Sequence, residues 1–115
     1  SYYVFAMSLK TDVVKTQKSK IKKLLKKKGI NISIEYQNLH LLPLFQKKIG
    51  YYKNFPWCLN KNKIDYKKGI CPNAEFLNDK SFIGLNLCNY DYSKNDLKYI
   101  IKCFKEIWQK EISFF

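Results

Sequence analysis

Arginine is absent from this chain of 115 residues, and histidine occurs once, at position 40. All 22 basic residues are therefore lysines and face only 9 acidic residues, which leaves a net charge of +13. Arginine is the side chain best suited to bidentate phosphate binding. The lysines are accompanied by 10 Asn, 12 Ile, 9 Tyr and 8 Phe, the residues that an AT-rich coding sequence favours. We therefore attribute the charge to coding composition, and we do not expect nucleic acid as a partner.

Long apolar runs are also missing, since no stretch approaches the roughly 20 residues of a membrane-spanning helix. The N-terminal residues lack the basic stretch that opens a signal peptide. We therefore expect a cytoplasmic protein without a membrane partner. The four glycines are isolated from one another, which argues against a phosphate-binding loop. The length allows a single domain with its own core.

Close-spaced cysteine pairs, the usual start of a zinc site, are absent. The four cysteines are Cys58, Cys71, Cys88 and Cys103, whose residue numbers differ by 13, 17 and 15. We expect no metal site and, in a reducing cytosol, free thiols, with two disulfides as the alternative. His40 is the only imidazole available to a catalytic triad, and nothing in the local sequence marks a cysteine as its nucleophile. We predict no catalytic residue.

The first part of the chain alternates between strand and helix patterns. Residues 2–9 are almost entirely apolar, which indicates a buried strand. Apolar residues at helical spacing predict an amphipathic helix over 13–28, with Asp12 as its N-cap and Gly29 as the residue that ends it. Over 30–34, isoleucines alternate with polar residues, which predicts a half-buried strand.

The second part contains a long loop and ends in the clearest helix. Pro43 predicts the start of a short helix, and residues 50–72 have no clear period. A helical turn around 74–77 is expected to begin at Pro72 or Asn73. Residues 82–87 read as a further strand. Leucine and isoleucine at three- and four-residue steps predict a last helix over 93–111. The order β-α-β-loop-β-α predicts a single α+β domain, with a three- to four-stranded sheet and helices on one face.

Two segments carry a resemblance to a known family. The run from Leu24 to His40 combines an amphipathic helix, Gly-Ile, a strand, a Tyr and a Leu-His pair, and a Pro and an aromatic follow it. Together with the run from Cys71 to Glu75, which reads Cys-Pro-Asn-Ala-Glu, it resembles the C-terminal part of the DegT/DnrJ-type sugar aminotransferases. These are pyridoxal-phosphate enzymes of the aspartate-aminotransferase fold, and the match runs in order along essentially the whole chain.

The resemblance implies that residues 1–115 form the C-terminal small domain of such an enzyme. The family's cofactor lysine and phosphate-binding residues belong to a large domain that this chain does not contain. Pyridoxal phosphate is thus implied for a full-length protein, no cofactor-binding residue is expected here, and the chain alone is not expected to be active. The implied partners are the large domain, a second subunit of a homodimer and a keto-sugar nucleotide.

The same resemblance assigns substrate-side positions to His40 and Tyr36, near the mouth of the family's active site. Glu75 is expected to cap or pair at a helix start. Because both faces of the first strand are apolar and one helix layer covers only one of them, an exposed apolar patch is expected on the other, with His40 at its rim. The alternative function is a free-standing nucleic-acid-binding module built on lysines and aromatic residues, although nine lysines fall within residues 10–28.

Overall fold

A computed structural model describes residues 3–60 and 64–114 of the chain, and within these ranges it is a small α+β domain. Its strands and helices are β1 (Phe5–Ser8), α1 (Lys18–Lys27), α2 (Pro43–Gln46), α3 (Pro72–Phe76), β2 (Phe82–Leu85) and α4 (Lys94–Lys110). Short 3₁₀ turns occupy Leu39–Leu41, Tyr52–Asn54, Trp57–Leu59 and Leu87–Asn89, and a π-helical turn covers Leu77–Ser81. Every predicted helix is confirmed as an element, and residue 2 of the first predicted strand lies outside the described ranges.

The sheet that the structure describes has two antiparallel strands, with Phe5 opposite Leu85 and Ser8 opposite Phe82. The expected three- to four-stranded sheet is therefore not confirmed. On the far side of β2, Ser33 and Gly84 exchange both backbone hydrogen bonds, at 2.8 and 2.7 Å. A third strand is thus reduced to a single bridge.

The segment 30–34 keeps its predicted alternation, because Ile30 and Ile32 are buried and Asn31 is exposed. It does not continue as a strand because side chains bond the backbone beyond Ser33. The ammonium group of Lys18 donates to the carbonyl of Ile34, and the Tyr36 N–H donates to the Asn78 side chain at 3.0 Å. Because these backbone groups are already bonded to side chains, they are not available to pair with a neighbouring strand.

Helix α1 begins at Lys18, five residues later than predicted, and its N-cap is Gln17. The prediction of Asp12 as the cap is wrong because the preceding residues bond the end of the chain. Lys15 N–H donates to the Ser113 carbonyl at 2.9 Å, and Ser113 N–H donates to the buried Thr16 hydroxyl at 2.7 Å. Backbone groups engaged in this way cannot take part in a helix.

The C-terminal end of α1 agrees with the sequence, since Gly29 adopts a φ of +77°. The Ile30 N–H reaches back to the Leu25 carbonyl and the Gly29 N–H to the Lys26 carbonyl, each at 3.0 Å. This pair of bonds is a Schellman motif, which favours glycine at the left-handed position.

Helix α4 begins with a complete capping box. The Asp96 N–H donates to the Ser93 hydroxyl at 3.2 Å, and the Ser93 N–H donates to the Asp96 carboxylate at 2.9 Å. These reciprocal bonds satisfy two amides that a helix start otherwise leaves unpaired.

The core lies between the sheet and the layer formed by α1 and α4. Its most deeply buried side chains come from α1, β2 and α4, and they are Ile21, Leu25, Ile83, Cys103 and Ile107. The cluster is completed by Leu85 of β2 and, from the connecting segments, by Leu9, Ile30, Ile32 and Ile112. The helices therefore cover one face of the sheet, as predicted.

The chain exposes more surface than a self-contained domain of its size. Its accessible area is 9238 Å², whereas a compact monomer of 13.8 kDa has roughly 6,600 Å². Its radius of gyration of 18.6 Å also exceeds the roughly 13 Å of a compact domain. The exposed side chains include large apolar ones, among them Tyr3, Phe5 and Leu39.

Candidate functional site

The uncovered face of the sheet forms an apolar groove with a volume of about 840 Å³. Its floor contains Val4, Ala6 and Ser8 from the first strand segment and Phe82 from β2. In an antiparallel pair these positions point away from the face that α1 and α4 cover. The exposed apolar patch expected from the first strand is thus present.

Gly84 shapes the floor of this groove. A Cβ atom there would lie 2.8 Å from the tip of the Phe82 ring and 3.0 Å from a methyl group of Val4. The absence of a side chain lets the Phe82 ring lie across the strand, where it becomes part of the groove lining.

Tyr36, one of the two predicted substrate-side residues, lies in the groove wall. Its ring meets Phe82 edge to face, with centroids 5.9 Å apart, and its backbone N–H is held by Asn78. Lys18 also donates to the Asn78 carbonyl, and partial burial lowers the pKa of this lysine. Lys18 and Asn78 together fix the segment that carries Tyr36.

His40, the second predicted residue, lies in the wall of the same groove. The 3₁₀ turn Leu39–Leu41 carries it, and the Gln46 side chain from α2 donates to its carbonyl at 2.9 Å. Only 8% of His40 is exposed, so it is buried in the wall rather than open at the rim. The structure therefore brings His40 and Tyr36 to one groove.

Glu75 is the partner of His40, with its Oε1 atom 2.9 Å from the imidazole Nε2. The Gly69 N–H donates to both carboxylate oxygens, at 2.7 and 3.0 Å, and the Cys71 N–H reaches Oε1 at 3.4 Å. The Gly69 bond, followed by the bond from His40, lowers the pKa of Glu75 against the opposing effect of burial. Gly69 has a φ of +101°, a backbone conformation that favours glycine.

The expectation that Glu75 pairs at a helix start is confirmed, because it lies in the first turn of α3. Sequence reasoning did not identify His40 as its partner, which is 35 residues away. The sequence signal for this pairing was chemical. The chain has a single imidazole, and a Pro-Asn-Ala-Glu turn carries a glutamate that could pair with it. Buried carboxylates need such partners.

Aromatic residues of the long loop support the far wall. Phe45 contacts both Tyr66 and Trp57, with ring centroids 5.4 and 5.9 Å apart. Trp57 also donates its indole N–H to the Tyr66 hydroxyl at 3.1 Å. Trp57 thus stands behind the groove lining rather than in the main core.

All four cysteines are free, in agreement with the favoured expectation. Cys103 lies in the core, and Cys71 contributes to the groove lining. Within residues 3–60 and 64–114 no group of three or more His, Cys, Asp or Glu side chains is placed to hold a metal ion. No helix in these ranges has the length and apolar character needed to cross a membrane.

The described lining of the groove offers no amine for covalent attachment of an aldehyde cofactor. Among the described residues no lysine lines it, and Lys18, whose pKa is lowered, donates to two backbone carbonyls instead. A Schiff-base lysine requires a free amine in a desolvated pocket. What the groove offers is aromatic surface, a few amide groups and one imidazole, which is typical of a non-covalent binding site.

Comparisons of the chain with protein-family models, with curated proteins and with solved structures find no match. The functional assignment therefore depends on the geometry of the groove and on the sequence resemblance.

Proposed function

We propose that this chain is the C-terminal domain of a pyridoxal-phosphate-dependent aminotransferase acting on keto-sugar nucleotides. In that role it closes one side of the active-site cleft and supplies contacts to the substrate. The amino group would pass from glutamate to the keto sugar in the larger protein, which we propose to be a homodimer. The cofactor lysine would be contributed by a separate large domain.

The observation that carries this proposal is the uncovered apolar groove with His40 and Tyr36 in its walls. A sheet face that exposes Val4, Ala6 and Phe82 is costly in water, and burying apolar area gains about 25 cal/mol per Å². Such a groove supports a role in which another surface covers this face. On the family resemblance, we propose that this surface is the large domain.

The excess of accessible surface supports the same reading. The chain exposes about 2,600 Å² more than a compact monomer of its mass. Stable interfaces bury roughly 1,200–2,000 Å² in total, about half of it on each partner. The excess is therefore large enough to include an interface with a large domain.

The alternative of a nucleic-acid-binding module has less support. Such a module stacks bases on aromatic residues that lie beside phosphate-binding side chains. Here the groove aromatics have no lysine among their described lining residues. The exposed lysines of α1 and α4 project instead from the helical layer, where Tyr99 is exposed and the partly buried Phe104 stacks on Trp108.

The decisive experiment begins with the coding sequence upstream of Ser1. We expect a continuous reading frame that encodes a large domain with a cofactor lysine. The protein expressed from that frame should show an aldimine absorbance and should form 2-oxoglutarate from glutamate in the presence of a keto-sugar nucleotide. A frame that closes without such a domain would refute the proposal.

The chain alone provides a complementary test. Incubated with pyridoxal phosphate and reduced with borohydride, it should show only scattered labelling of surface lysines. Peptide mapping would locate the label. A stoichiometric adduct on one lysine would show that this chain carries its own cofactor site.

A further inference from the structure

In the buried pair of Glu75 and His40, the other hydrogen bonds of Glu75 determine which group donates and which accepts. Each carboxylate oxygen of Glu75 accepts a bond from the Gly69 N–H, and Oε1 also faces His40 Nε2 at 2.9 Å. An ionised carboxylate only accepts hydrogen bonds. The imidazole must therefore donate from Nε2, so that this nitrogen carries the hydrogen.

The other ring nitrogen, Nδ1, has no hydrogen-bond partner among the described residues. Within those residues no fully enclosed side-chain nitrogen or oxygen is left unsatisfied, so Nδ1 must be accessible from outside. His40 is one of the residues that line the apolar groove. In the neutral ring with hydrogen on Nε2, Nδ1 is an acceptor.

We propose that Glu75 is a positioning residue that holds His40 with an unprotonated Nδ1 facing the groove, where it accepts a hydrogen bond from a sugar hydroxyl or amino group. Tyr36, Phe45 and Phe82 provide the apolar surface against which the C–H face of a sugar ring packs. The identification of the ligand as a sugar rests on the proposed function. The role of Glu75 does not.

Because the chain has a single histidine, the tautomer of His40 can be measured directly. In protein labelled with ¹⁵N-histidine, nitrogen-to-carbon-proton correlations distinguish a protonated from an unprotonated ring nitrogen. In the neutral ring we expect the hydrogen on Nε2, which faces Glu75, and none on Nδ1. A spectrum with hydrogen on Nδ1, or with both nitrogens averaged, would overturn the proposal without any variant.

A matched pair of substitutions tests the part played by Glu75. In Glu75→Gln the fixed anionic acceptor is lost, and the two ¹⁵N resonances should move toward each other as the second tautomer becomes populated. Glu106→Gln removes a different ion pair, with Lys28 at 2.8 Å, and should leave the histidine spectrum unchanged. Identical histidine spectra in wild type and Glu75→Gln would exclude the positioning role. If Glu75→Gln does not fold, the wild-type tautomer decides the matter.

The ligand assignment is tested with glucose, N-acetylglucosamine and their uridine diphosphate esters as probes. Saturable binding should shift the Nδ1 resonance and leave Nε2 nearly unchanged. In His40→Gln the amide group can replace Nε2 as a donor to Glu75 but supplies nothing at Nδ1, so affinity should fall roughly 2- to 10-fold, as for one neutral hydrogen bond. No saturable shift with any probe, or unchanged affinity in a folded His40→Gln, would refute the sugar contact. That result would be independent of the upstream coding sequence, which tests the proposed function.

Discussion

Two leucine-to-alanine substitutions, one in the core and one in the groove wall, would separate the residues that fold the domain from those that line the groove. Leu25 is fully buried in the helical layer, whereas Leu39 lines the groove and is 62% exposed. The chemical change is the same at both positions. Any difference in stability must therefore come from what each side chain contacts.

The expected magnitudes differ severalfold. Leu25→Ala removes a fully packed side chain and leaves a cavity, which costs about 2–5 kcal/mol. Leu39 has little more than a third of its surface buried, so Leu39→Ala should cost about 1 kcal/mol or less. With an unfolding entropy of about 0.24 kcal/mol/K for this length, a loss of 3 kcal/mol lowers Tm by about 12 °C.

Thermal melts followed by circular dichroism, and urea titrations at one temperature, would measure both variants. We expect a large loss for Leu25→Ala and a shift of about 4 °C or less for Leu39→Ala. If Leu39→Ala were as destabilising as Leu25→Ala, the groove would be part of the domain's own core. There would then be no reason for another surface to cover the groove.

Three further outcomes are expected. Ser93→Ala removes the N-cap of α4 and should cost about 1 kcal/mol in urea titrations, whereas Ser19→Ala at an exposed position of α1 should cost nothing measurable. The lowered pKa of Glu75 means that its ionised form stabilises the fold above its unfolded pKa of about 4.3, with that contribution lost as the pH falls through the folded value. Glu75→Gln should therefore weaken the acid dependence of the urea midpoint, and an unchanged dependence would contradict this. Binding to a labelled single strand should be weak and should fall steeply between ~50 and ~200 mM salt, whereas sequence-dependent, sub-micromolar binding at the higher salt would favour the nucleic-acid alternative.

Local signals account for several ends of elements, although not for the start of α1. Ser93 and Asp96 form the capping box of α4, Gly29 ends α1, and Pro43 begins α2. Each of these features depends on residues within one or two helical turns. The chemistry of a few neighbouring side chains is then sufficient to determine the backbone.

Long-range contacts explain what the sequence did not predict. The start of α1 is set by the bond between Thr16 and Ser113, which are 97 residues apart. The pairing of His40 with Glu75 likewise depends on how the long loop folds back. Periodicity indicates which residues prefer burial, but it does not indicate which distant group will satisfy a buried polar atom.

The distribution of charge leads to a last prediction, about salt. Apart from Lys18, the lysines of α1 and α4 are exposed, and the described lining of the groove contains no lysine. A surface that docks in the groove therefore buries no unpaired ammonium group, which would otherwise cost several kcal/mol. Association of the chain with the proposed large domain, measured by calorimetry, should change little between ~50 and ~500 mM salt, because screening acts on exposed charges.

As a control, Lys22→Glu on the exposed side of α1 should leave that affinity unchanged, whereas Leu39→Asp in the groove should reduce it strongly. Binding that weakens steeply with salt and responds to Lys22→Glu would place the interface on the helical layer instead, and the groove would not be the docking face.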